Sequence, residues 1–132
     1  MRKFYFVLPL LLFICLAACQ AGMGDTPTAP VDKPRLAAGN PDIRGEITNI
    51  HQKDGITVSV LVEGEIEADT GYDKASVTIT DTTRIYEKVG EDYLALSRED
   101  LYLGLRVEVL FTGVVLESYP VQTEAEEIVI LR

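Results

Sequence analysis

Apolar and polar residues alternate one by one along three stretches of the chain, the period of a strand with one face buried. Ile56, Val58, Val60 and Val62 fall on one face, and Thr57, Ser59 and Leu61 on the other. Ala75, Val77 and Ile79 alternate with Ser76, Thr78 and Thr80, and Leu105, Val107, Val109 and Phe111 alternate with Arg106, Glu108 and Thr112. Two weaker strands flank these. In Arg44 to Ile50, the spacing of Ile47 and Ile50 breaks alternation and predicts a bulge; in Glu126 to Leu131, Ile128 and Ile130 face together. Thr83 to Glu87 continues the third strand after a kink near Asp81, and Lys88 to Tyr93, with Gly90, reads as a turn.

One helix is marked by end chemistry. Ser97 and Asp100 make an approximate capping box, Leu96 and Leu101 stand at the staple positions, and Gly104 supplies a stop, so about two turns are expected from Arg98 to Leu103. The class is therefore all-β with one short helix. Its element order is that of a small five-stranded OB-like, partly open barrel, while an open antiparallel sheet packed by one helix gives the same string. The expected core holds Val58, Val60, Val77, Ile79, Val107, Val109 and Ile128.

The two ends of the chain differ sharply in character. Met1-Arg2-Lys3 precedes the apolar run Phe4 to Ala18, which is shorter than the roughly 20 residues that span a bilayer. Leu16-Ala17-Ala18-Cys19 resembles the bacterial lipobox. That resemblance implies that residues 1–18 are a cleaved lipoprotein signal peptide and that Cys19 carries the lipid. The partner is then the cell membrane, with the chain lipid-anchored on the extracytoplasmic face. Residues 19–42, with four prolines and no apolar period, read as a disordered tether, and residues 43–132 as the folded domain, expected to be monomeric.

Charge and inventory narrow the function. The formal charge of −9 becomes −11 once Arg2 and Lys3 leave with the signal, and the remaining cations are scattered, which argues against a nucleic-acid partner. Cys15 lies in the export segment, so no disulfide is expected. His51 is the only histidine and sits beside Gln52 and Lys53 in an expected turn. With no second histidine and no cysteine in the domain, neither a standard zinc site nor a cysteine nucleophile assembles, and no Gly-x-Ser-x-Gly elbow occurs. No enzyme activity, metal or cofactor is expected.

Glu63, Glu65, Glu67, Asp69 and Asp73 offer oxygen at every second position or nearly so, which suits calcium. An EF-type loop counted from Glu65 fails, however, because Thr70 and Ser76 stand where glycine and glutamate are needed; a solvated hairpin is the simpler reading. Glu124, Glu126 and Glu127 read as charges protecting an edge strand.

The segment Glu117-Ser118-Tyr119-Pro120-Val121-Gln122 exceeds what a plain hairpin needs. Pro120 ends the fourth strand, and the Tyr119 ring is expected to close the open end of the barrel, the alternative being an exposed stacking platform. Together with Phe111-Thr112-Gly113 before it and Ala125 after it, this segment resembles a domain-of-unknown-function family of small YobA-like Bacillus lipoproteins, closely over 104–130 and loosely over 44–131. The resemblance implies a small β domain tethered outside the membrane and carries no activity. It carries over Glu117, Tyr119, Pro120 and Gln122; Val121 stands where the family has alanine. The functional expectation is a small binding module with contacts at Glu117, Tyr119 and Gln122, or else an envelope protein-protein interaction module without a pocket. An exposed cluster of Tyr72, Tyr86, Tyr93 and Tyr119 would mark the first, and an exposed apolar edge the second.

Overall fold

The computed structural model describes residues 33–132, so the export segment, Cys19 and the tether up to residue 32 lie outside the described residues. The domain is all-β. Its strands are β1 (Ile43–Lys53), β2 (Ile56–Glu63), β3 (Lys74–Thr78), β4 (Arg84–Val89), β5 (Asp92–Leu96), β6 (Arg106–Leu116) and β7 (Val121–Leu131). They form one sheet in the order β3-β2-β1-β6-β7-β4-β5. A parallel pairing of β3 with β7 closes β1, β2, β3, β7 and β6 into a ring. The alternation picks out its interior: Val60, Val62, Val77, Val107, Val109, Ile128 and Ile130 are buried there with Ile43, Ile47 and Phe111. Val58 is only half-buried and does not join them: His51 pairs with Ser59 and Gln52 with Thr57, so Val58 is an extra residue, and Thr57 is buried while Ile56 is exposed, the reverse of the alternation.

Two further irregularities of period are bulges. Ile47 pairs with Val62 and Asn49 with Leu61, so Thr48 is the extra residue, and both Ile47 and Ile50 can turn inward as their spacing predicts. On β7, Phe111 pairs with Ala125 and Leu110 with Glu127, leaving Glu126 as the extra residue. Inward positions change there from Thr123 and Ala125 to Ile128 and Ile130.

Several expectations are corrected. The helix at Arg98–Leu103 is a single 3-10 turn, Arg98–Asp100. Its start chemistry is real, since the Asp100 carboxylate accepts the Ser97 N–H at 2.9 Å. Leu101 then turns extended and is buried in the core, while the Gly104 N–H donates to the Ile47 carbonyl, so tertiary contacts end the helix after one turn. The sheet is mixed rather than purely antiparallel, five of its strands close into a ring, and among the described residues no α-helix packs on it. Lys88 to Tyr93 is not one turn: β4 and β5 form a hairpin about Gly90. The kink near Asp81 is present, with β3 and β4 lying one after the other along β7, but β4 then pairs with β5 as a separate strand. The fourth strand of the sequence reading, β6, ends at Leu116, before Pro120.

The stretch 34–42, read as the end of the tether, packs on the domain. Arg35–Ala37 is a 3-10 turn whose Leu36 is buried with Tyr86 and Val129. Glu127 is fully buried, and β7, which carries Glu124, Glu126 and Glu127, pairs with β6 on one side and with β3 and β4 on the other. The edge-protection reading therefore fails.

Candidate functional site

The outer faces of β1, β2 and β3 meet in a shallow groove of about 250 Å³. It is lined by Asn49 and His51 from β1, Ser59 and Leu61 from β2, Ser76 from β3, and Pro120 from the β6–β7 turn. These side chains face outward because the core takes the alternate positions Val60, Ala75 and Val77. His51 belongs to β1 rather than to a turn, and it is exposed. The lining is thus uncharged hydroxyl and amide, one imidazole and two apolar surfaces.

The Glu117–Pro120 turn flanks this groove. Tyr119 is 71% exposed, so its ring does not close the end of the ring of strands. Pro120 lines the groove, and β7 enters the sheet immediately after it, which leaves the preceding ring outside the core. The hydroxyl of Tyr119 donates to the Asp73 carboxylate at 3.1 Å, and the Lys74 ammonium lies 5.9 Å from the ring centroid. The bond to Asp73, more than partial desolvation, raises the phenol above its ordinary pKa. Lys74 also reaches Glu63 at 3.5 Å. The Thr48 hydroxyl chiefly, and Lys74 less, hold the Glu63 carboxyl below its ordinary range.

Gln122 is exposed beside Ser76 in the β3–β7 register, and its amide donates to Ser118 Oγ at 3.3 Å. It also borders a second depression, with Thr78, Thr112, Val114, Leu116 and Thr123. Tyr119 and Gln122 thus flank Pro120 on either side, but neither lines the groove itself. Glu117 is exposed in the same turn, and no contact brings it to the groove.

The acidic stretch is organised by a residue the sequence did not single out. Arg44, on β1, donates to Asp69 at 2.7 and 3.0 Å, to Glu108 at 2.8 Å and to Glu67. The guanidinium holds the Asp69 carboxyl below its ordinary range, so these carboxylates converge on an internal cation. Among the described residues no group of three His, Cys, Asp or Glu is arranged around a metal position.

The remaining tyrosines do not form an exposed cluster. Tyr72 packs on Phe111 with ring centroids 5.3 Å apart, and Tyr86 is buried with Tyr93 edge-on to it at 6.5 Å. An apolar edge does exist: among the described residues β5 pairs only with β4, and its Leu94 is 50% exposed. No protein-family model, curated protein or solved structure matches the chain.

Proposed function

We propose that this protein is an extracytoplasmic lipoprotein, anchored through lipid on Cys19, whose domain is an OB-like binding module for a neutral polyhydroxylated ligand such as an oligosaccharide. The observation that carries the reading is the polar groove on β1, β2 and β3, with the exposed Tyr119 next in the chain to its lining residue Pro120. A closed five-strand path supports the OB-like description, and OB-type modules bind oligonucleotides or oligosaccharides on the strand 2–3 face and adjoining loops. Of those two ligands, the excess of carboxylates disfavours the polyanion. Serine and asparagine can exchange hydrogen bonds with hydroxyls, while an exposed tyrosine offers an apolar face to a sugar ring. The Glu117–Gln122 likeness to small YobA-like lipoproteins points to the same cellular address.

A titration with chitotetraose, followed by NMR, tests the binding half of the proposal. Shifts confined to Asn49, Ser59, Ser76 and the Tyr119 ring, and abolished in Tyr119→Ala, are expected; shifts spread over the surface, or none, overturn it. Membrane fractionation tests the anchor. Cys19→Ala is expected to leave the membrane fraction after processing, and wild-type retention of the processed variant refutes anchoring through that sulfur.

The open β5 edge favours a second reading, in which another exported protein adds a strand there. Crosslinking from Leu94 rather than from Ser59 distinguishes it.

A further inference from the structure

Glu127 has no part in the groove, yet it is the one fully buried carboxylate among the described residues. The bulge at Glu126 turns its side chain to the outer face of the sheet. There it accepts the backbone N–H of Arg35 at 2.8 Å, that of Leu36 at 2.9 Å, and the Arg84 guanidinium at 2.7 Å. Leu36 sits over Tyr86 and Val129, with Tyr93, Leu110 and Leu131 around them. Residues 37–40 are exposed. Beyond them the chain is fixed again: the Asp42 N–H donates to Val109, its carboxylate takes the Phe111 N–H, and its carbonyl takes that of Gly71.

We infer that residues 34–40 are a releasable strap, docked on Glu127 and hinged before Asp42, which sets the length of the link between domain and anchor. The strap holds two apolar side chains, Pro34 and Leu36, against the domain and leaves its other five residues exposed, so its opening costs less than unfolding the sheet. Arg84 stays with Glu127 when the strap leaves, so opening strands no lone buried charge. Release adds reach equal to the extended length of the seven freed residues, about 23–25 Å, less the distance that the docked strap already spans. It also uncovers the apolar face around Tyr86 and Val129. The link-length consequence rests on the anchoring proposed above; the strap itself does not.

Hydrogen exchange of the full chain in mild detergent, measured against urea, tests the strap without reference to the lipid. The Arg35 and Leu36 amides are expected to be protected, yet to exchange about 100-fold faster than those of Ile128 and Ile130 and with little urea dependence. Unprotected amides would show that the strap is not docked. Exchange with the rate and urea dependence of Ile128 would show that it never releases; either result overturns the inference. In Glu127→Gln, tryptic cleavage after Arg35 is expected to quicken about 10-fold while the β-sheet spectrum persists. Cleavage at the wild-type rate in that folded variant removes Glu127 from the latch, and if the variant unfolds, the exchange of the wild-type chain decides alone. Failure of anchoring appears only in the Cys19→Ala fractionation.

Discussion

An added Cβ at Gly45 would stand 2.2 Å from the Glu63 carbonyl oxygen, and one at Gly64 would stand 2.1 Å from that of Arg44. Both opposing atoms are backbone and cannot rotate away. Gly45→Ala should therefore exceed the usual overpacking cost of about 1–3 kcal/mol, which a urea melt would show as a lowered midpoint. The same measurement on Tyr119→Ala should give a change within about 0.5 kcal/mol, because the ring is exposed. A large loss there would mean that the ring is buried after all. Removing the negative charge of the acceptor in Asp73→Asn should bring the Tyr119 phenol back down toward its ordinary pKa, as followed by NMR titration. At this scale the sequence marked Tyr119 and Pro120 as special. It could not say which way the ring pointed, because that depends on how β7 enters the sheet.

Among the features of elements, the first bulge was legible. The Ile47 and Ile50 spacing announces the extra residue in β1 because the apolar side chains must both reach the core. The hairpin strand β5 was not legible, since Tyr93, Leu94, Ala95 and Leu96 show no alternation and only their partner β4 makes them a strand. The loop between β2 and β3 depends on Arg44 in the same way. Asp69 has its folded pKa lowered by Arg44, so it contributes stability above the unfolded value that is lost as pH falls through the folded one. Arg44→Met keeps the aliphatic stem and removes the partner. Its thermal midpoint should consequently fall less steeply than that of wild type on acidification below the ordinary aspartate range. Parallel curves for the two proteins would show that the pair does not couple to folding.

For the whole molecule, closure of the ring makes its interior one unit, and Val107 lies fully buried in it between β1 and β7. Val107→Asp should unfold the domain by burying an unpaired charge, with loss of the β-type circular dichroism; a variant keeping that spectrum would refute the core assignment. By itself, the sequence determined which residues face inward in β3, in β6 and in the second half of β2, where the first bulge falls, where the 3-10 turn begins and that the chain kinks near Asp81. Each is a local matter, set by side-chain period or by hydrogen bonds spanning a few residues. Only the tertiary structure decided that β3 lies beside β7, that Glu127 is buried rather than on an edge, that Leu36 belongs to the domain, and that Arg44 gathers the acidic loop. Those contacts join positions from 23 to 92 residues apart, and no periodicity in one strand specifies which distant strand will cover its other face.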